Sequence, residues 1–298
     1  MSKGLRNALM PWMFLLPAFT FIGIIVVFPI LYTIYISLTN MNIFNWADFR
    51  IIGFANYQRA LNVFSSGFFR ALLVTILWTF FNMLFQLSIA FVMASLLNVK
   101  KLRYRRIYKT LLMFPWAMPG YISILLWKHG IFNAQFGLLN QWLISLGIEP
   151  QRWLVNDVTA FSMSMIVNLW LALPFMIMII DGALQSLDKS YYESALLDGA
   201  GWYKRSVSLT IPAIRPIIAP AVIITLFTTF RQFDVIYLMT KQVGSRTGAN
   251  IHTVLTYAHE NAFVTHNYGY SSAVSVIIFV MLIVFSSLMF FRKQKPVQ

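Results

Sequence analysis

The chain contains no cysteine, which excludes disulfides, thiolate metal sites and thiol nucleophiles. Charge is scarce as well. Charged residues make up 11% of the 298 positions, and only nine of them are acidic. An ordinary soluble domain carries roughly 25%. None of the 14 glycines opens a G-x-x-x-x-G-K-[ST] sequence, the loop whose backbone amides cradle phosphates, so ATP is not bound here by a P-loop. The acids Asp48, Glu149, Asp157, Asp181, Asp188, Glu193, Asp198, Asp234 and Glu260 form no close pair with catalytic-looking neighbours. His252, His259 and His266 stand seven apart. On one helix that is about 10.5 Å per step, too far for two ligands that must each lie about 2.0–2.1 Å from one zinc. They are read as loop histidines, and no metal or catalytic site is expected.

What remains is apolar. Hydrophobic residues make up 59% of the chain, more than a soluble domain of this length could bury. A soluble enzyme and a disordered protein are both excluded. A membrane span needs about 20 mostly apolar residues, because the hydrocarbon core is about 30 Å thick. Six segments qualify: Pro11 to Leu38, Ala71 to Leu97, Thr110 to Trp127, Ala160 to Ile180, Ile214 to Met239, and Tyr270 to Phe291. All six should be helical, since an open strand in lipid leaves backbone groups unpaired. The expected fold is therefore an all-α, polytopic membrane protein with six transmembrane helices. The first segment is too long for the core of a signal peptide, and no A-x-A-like cleavage site follows it. Pro115 and Pro119 interrupt the third span and Pro174 the fourth, as suits helices bending around a pathway.

Orientation follows from the cations. Lys3, Arg6, the run from Lys100 to Lys109, Lys189, Lys204, Arg205, Arg215, Arg292, Lys293 and Lys295 place fifteen on one side. Arg50, Arg59, Arg70, Lys128, Arg152, Arg231, Lys241 and Arg246 place eight on the other. Cationic short loops stay in the cytoplasm, so both termini are expected there. The resulting division is a cytoplasmic N-terminus at 1–10, the first transmembrane helix and outer loop at 11–69, a core transmembrane domain at 70–291, and a cytoplasmic tail at 292–298. Orientation alone accounts for the basic run, and no nucleic-acid partner is implied.

One cytoplasmic loop, 185–212, is built like a folded element. Ser190 and Glu193 form an S-x-x-E capping box. Tyr192, Ala195, Leu196 and Gly199 fall on one helical face. Gly199 or Gly201 can take the left-handed conformation that ends a helix. A second helical stretch is expected from Trp202 to Thr210, with Pro212 as its stop. The product is a helix of about nine residues, about 13 Å long. It either lies on membrane lipid or presents a knob to a groove in a soluble partner.

The loop resembles the EAA loop of permease subunits of ABC importers, whose pattern is E-A-A, three residues, G, nine residues, then I-x-L-P. Glu193-Ser194-Ala195, Leu196-Leu197-Asp198, Gly199 and Leu209-Thr210-Ile211-Pro212 keep both spacings, with Ser194 in place of the first alanine. Other stretches resemble the carbohydrate-uptake branch, in particular the first permease component of maltose-type and glycerol-phosphate-type systems. They are Gly53-Phe54-Ala55-Asn56-Tyr57, Phe230-Arg231-Gln232-Phe233-Asp234-Val235-Ile236-Tyr237, and Tyr268-Gly269-Tyr270-Ser271-Ser272-Ala273. That branch's Gly-Gly-Pro turn is missing; Val243-Gly244-Ser245-Arg246 stands in the corresponding place.

The resemblance implies an importer-type permease fold in a bacterial cytoplasmic membrane. It also implies a second permease subunit, a pair of ATP-binding-cassette ATPases that carry ATP and Mg, an extracellular solute-binding protein, and a carbohydrate substrate, most simply an oligosaccharide. On that reading Tyr192, Glu193, Ser194, Ala195, Leu196, Asp198 and Gly199 form the helix that couples to the ATPase. The chain itself is then a transport subunit without a catalytic centre.

Sugars are held by aromatic faces and hydrogen-bonding groups. The candidates for the passage are Trp116, Tyr121, Asn168, Trp170, Arg231, Gln232, Phe233, Asp234 and Tyr237. Each could equally be packing or an interface anchor. Arg231 and Asp234, at i and i+3, could pair with one another or line the cavity. Asp181 needs no special role. Two further readings stay open, a permease for another solute class and an ion-coupled secondary carrier.

Overall fold

A computed structural model describes residues 3–63, 66–99, 102–241 and 249–292. The stretch Val243–Arg246 and the cations Lys100, Lys101, Lys293 and Lys295 lie outside these residues. Among the described residues the chain is helical, apart from one isolated bridge between Thr39 and Ile51. Five helical segments are long and apolar enough to cross a membrane: Trp12–Ser37, Phe68–Leu97, Asp157–Gln185, Trp202–Thr240 and Tyr268–Leu288. The expected third span is two helices, Arg105–Ala117 and Gly120–Ile131, bent by 92°. Met118 at the break is extended and Pro119 caps the second helix. A residue before proline is pushed out of the helical region, so the Met118–Pro119 pair forces the corner. Pro115 and Pro174, by contrast, sit inside continuous helices.

Two prolines are accommodated in the same way. Five-residue π-turns at Gly23–Val27 and Ser206–Thr210 each end two residues before a proline, Pro29 and Pro212. A proline ring clashes with the carbonyl four residues back and has no N–H to donate. The wider turn moves that carbonyl away. Pro212 therefore does not stop the second helical stretch, contrary to the expectation from sequence. The helix of the loop runs on through Ser206–Thr210 into Ile211–Phe230.

The chain divides into two compact units. The first comprises Met1–Ala71 and Val254–Gln298. In it the end of the first span, the Gly53–Tyr57 stretch and the start of the last span meet. Asn56 Nδ2 donates to the carbonyls of Ser37 (2.9 Å) and Thr39 (2.7 Å). The hydroxyls of Tyr57 and Ser37 share a hydrogen bond of 2.6 Å. Gly269 donates its amide to the Met41 carbonyl at 2.9 Å. Tyr270 is buried, with Arg59 stacked over its ring at 4.6 Å and its hydroxyl 3.0 Å from that of Tyr257. Two of the stretches that resemble the carbohydrate-uptake branch thus form a clamp on the backbone.

The second unit, Leu72–Thr253, has two apolar centres. Trp78, Ile124, Val167, Val235 and Ile236 belong to one, and Ala90, Met176, Ile180 and Ile214 to the other. Lys128 is buried and donates to the carbonyls of Leu238 (2.5 Å) and Lys241 (2.6 Å). It caps the C-terminal end of the helix Asp234–Thr240, where a cation suits the exposed carbonyls.

Candidate coupling site on the second unit

The cytoplasmic loop holds a nine-residue helix, Lys189–Leu197, bounded at both ends by hydrogen bonds. Its cap is Asp188, two residues before Ser190, the cap that the capping box predicts. The Asp188 carboxylate accepts from the Ser190 amide at 3.0 Å. Aspartate and serine are about equal as caps, and Asp188 comes first along the chain. Residue 198 follows the last helical turn, and Gly199 then turns left-handed at φ +69°. The Ala200 amide reaches the Ala195 carbonyl and the Gly199 amide reaches the Leu196 carbonyl, both at 3.0 Å. Those two bonds are the Schellman pattern, and they satisfy carbonyls that the helix end leaves open.

The amide and hydroxyl of Ser190 hold the Asp188 carboxyl below its ordinary value. A depressed carboxylate stabilises the fold above its unfolded pKa, and that contribution disappears as pH falls through the folded value. Hydrogen-exchange protection of residues 190–193 should therefore fall as pH drops below the usual carboxylate range. In Asp188→Asn that pH dependence should vanish while the cap persists. Equal pH dependence in both forms would remove Asp188 as the cap.

Of the four residues read as one helical face, Tyr192 and Ala195 are half-buried, whereas Leu196 and Gly199 are exposed. Glu193, Ser194 and Asp198 are exposed too, and Leu197 is 90% exposed. The helix is tied to the rest of the unit through Tyr192. Its hydroxyl donates to Thr210 Oγ1 at 3.1 Å, and Thr210 donates to the Arg205 carbonyl at 3.2 Å. Thr210 is buried and closes the π-turn, so the loop helix is linked to the base of the fifth span. A cavity of about 740 Å³ lies against this link, bounded by the cytoplasmic ends of the second and fourth spans and by the loop.

Asp181 is the residue that sequence reasoning undervalued. It is 1% exposed and joins three segments. Asn98 Nδ2 (2.7 Å) and Arg105 Nη2 (3.0 Å) reach its Oδ1, while Gln185 Nε2 (2.8 Å) and Lys109 reach its Oδ2. A buried carboxylate must be neutralised or fully hydrogen-bonded. The signal in the sequence was an acid inside an apolar span of a chain with few acids, 72 residues after Lys109.

The proposed passage residues do not all gather. Trp116 and Tyr121 are exposed on either side of the 92° corner. Asn168 is buried and donates to Asn82 Oδ1 at 2.7 Å, a contact between the second and fourth spans. Trp170 packs edge-on to Trp127 at 5.7 Å. Phe233 and Tyr237 stack at 4.8 Å beside half-buried Gln232. Arg231 and Asp234 are exposed and form no ion pair with each other. The i, i+3 pairing fails because the helix ends at Phe230 and restarts at Asp234.

Residues 86–295 match the family of binding-protein-dependent transport system inner membrane components. The chain is 30% identical to the trehalose/maltose transport system permease protein of Thermococcus litoralis, over 94% of this chain and 92% of that one. It is 29% identical to the galactooligosaccharides transport system permease protein of Bacillus subtilis, over 87% of this chain and 64% of that one. Among solved structures, a bacterial ABC transporter that imports the acidic polysaccharide alginate superposes with a TM-score of 0.75. The match covers 98% of this chain and 99% of that one at 19% identity, so it speaks to the fold. The six-segment helical pattern, the loop helix at its cytoplasmic spacing and the family match agree: the chain belongs to the binding-protein-dependent transport system inner membrane components.

Proposed function

We propose that this chain is a permease subunit of an ABC importer for a carbohydrate, most simply an oligosaccharide. In this reading the Lys189–Leu197 helix seats in a separate ATPase subunit that carries ATP and Mg. A second permease subunit completes the pathway, and an extracellular solute-binding protein delivers the sugar to the outward loops. The relatives named for trehalose/maltose and galactooligosaccharides support the sugar class. The observation that carries the coupling role is the loop helix itself. It is capped at both ends, leaves Tyr191, Leu196 and Leu197 exposed, and is hydrogen-bonded through Tyr192 to Thr210 at the foot of the helix that runs on into the fifth span. A helix lying on lipid has no need of a hydrogen bond back to the span, whereas a transmitting helix does. Its exposed residues, with Glu193, Ser194, Asp198 and Gly199, form the surface offered to the ATPase.

The divisions 1–10, 11–69, 70–291 and 292–298 describe cytoplasmic start, first span with outer loop, transport core and tail. The first span has no buried residue in its most apolar stretch, leaving its surface to lipid and the second permease. For the sugar, the Phe233–Tyr237 stack is an aromatic platform, with Gln232, Arg231 and Asp234 at its edge. Trp116, Tyr121 and Trp170 are further aromatic contacts along the bent pair and the fourth span, and Asn168 orients the fourth span through Asn82.

Glu193→Lys and Gly199→Asp test the coupling. The first reverses charge on the exposed surface. The second adds a charged side chain at a left-handed position on that surface, a conformation aspartate tolerates better than most residues, so the change is chiefly one of charge and bulk. Loss of one interface contact worth about 1.4 kcal/mol weakens assembly about tenfold. Uptake in vesicles loaded with ATP should drop by at least that factor, with docking of the solute-binding protein intact. Full uptake in both variants would overturn the assignment, and uptake that follows an ion gradient regardless of internal ATP would replace it with a secondary carrier.

A further inference from the structure

The cavity beside the loop helix contains an orphaned charge. Arg205 is half-buried, its Nε is sealed from solvent, and its guanidinium makes no hydrogen bond or ion pair among the described residues. Arg105 lines the same cavity, and its Nε is also buried and unpartnered. Its Nη2 is already bound to Asp181 and Asn98. Burying a charge without a counter-charge is costly. The acids nearby do not supply one. Both Asp181 oxygens are taken by Asn98, Arg105, Gln185 and Lys109. Glu193 also lines the cavity but is exposed and has no ion pair with Arg205.

The rest of the lining indicates what would complete the site. Trp202 and Tyr192 bring aromatic surface, and Phe91, Leu102 and Leu187 form an apolar wall. A volume of about 740 Å³ far exceeds that of a simple inorganic anion and falls within the usual range for organic ligands, about 300–1,000 Å³. The planar fork of a guanidinium matches the oxygens of a phosphate. The cavity lies where the second and fourth spans leave the membrane on the cationic side. Basic pockets between spans on the cytoplasmic side hold anionic headgroups.

We infer that this cavity is a binding site for a phosphate-bearing ligand, with Arg205 and the free edge of Arg105 on the phosphate and the apolar wall against the remainder. An anionic phospholipid of the inner leaflet and a soluble phosphorylated metabolite share that chemistry. A ligand there would sit under the Tyr192–Thr210 link and brace the loop helix.

The test uses the full chain, purified in detergent and titrated with phosphatidylglycerol, phosphatidylcholine or glucose 6-phosphate while binding and thermal unfolding are followed. Phosphatidylglycerol should bind about tenfold more tightly than phosphatidylcholine, a ratio equal to about 1.4 kcal/mol. Arg205→Gln should abolish that preference. Arg205→Lys, which keeps the charge and loses the fork, should retain part of it. Glu193→Gln should leave it intact or raise it. Binding of glucose 6-phosphate in place of phosphatidylglycerol, with the same dependence on Arg205, would assign the soluble source and keep the site. Three results would overturn the inference. One is no preference for any phosphate probe. Another is an Arg205→Gln chain that binds as the parent does. The third is equal, non-additive destabilisation by Arg205→Gln and Glu193→Gln, which would mean the two residues pair with each other instead.

Discussion

Asp181→Leu is expected to destabilise the chain by about 2–3 kcal/mol. The figure for breaking a fully buried ion pair is about 3–5 kcal/mol. The lower value applies because Arg105 and Lys109 are 36% and 24% exposed and can turn partly toward water. The substitution leaves two cations facing each other and takes one hydrogen bond each from Asn98 and Gln185, which keep those to the Ala94 and Asp181 carbonyls, at the point where the second, third and fourth segments converge. Asp181→Asn should cost less, because an amide oxygen still accepts from Arg105 or Asn98. The decisive comparison adds Arg105→Met and Lys109→Met. Removing the whole charged cluster should recover most of the loss, since replacing an entire buried ion group with apolar residues is often neutral or better. Thermal unfolding of the purified variants reads the effect. If the triple variant is no more stable than Asp181→Leu, the cost lies in packing and the electrostatic account fails.

Gly269→Ala is expected to cost about 3 kcal/mol, at the upper end for forced overpacking. A β-carbon on Gly269 would stand 2.2 Å from the Thr39 carbonyl oxygen and 3.2 Å from Asn56 Nδ2. The first of these is backbone and is itself held by Asn56, so it cannot move without breaking the clamp. Gly53→Ala supplies the comparison. Gly53 has φ +61° and open space around it, so only its backbone strain of about 1–2 kcal/mol should be felt. Stabilities measured on the two variants should differ in that order, and a mild Gly269→Ala would mean the three stretches are not in register.

The spans were legible because uninterrupted apolar runs leave no alternative to crossing the membrane. The loop helix was legible because its apolar spacing and its glycine stop are local. Details that depend on partners distant in sequence were hidden. Asp181 meets Lys109 across 72 residues, and no local pattern announces that pairing. Asn168 reads as a polar group in search of a ligand until Asn82, 86 residues earlier, is seen to take it. Pro212 reads as a helix stop because the π-turn that absorbs it has no clear sequence signature. Asp188 and Ser190 competed for one cap, and sequence offered no means to rank them. The stretches around Asn56 and Gly269 marked a branch of transporters by resemblance, and their side chains turn out to secure backbone. The break at Arg231–Phe233 was concealed by a helical spacing that the chain does not keep.

The absorbed proline also sets the scale of any stroke. From Trp202 to Phe230 the helix is 29 residues, about 43 Å. A rod of that length pivoting by only about 5° at its foot swings its far tip by about 4 Å, more than the width of a water molecule. Small displacements at the foot of this helix are therefore magnified at its far end, and stiffness near residue 212 governs how faithfully they arrive.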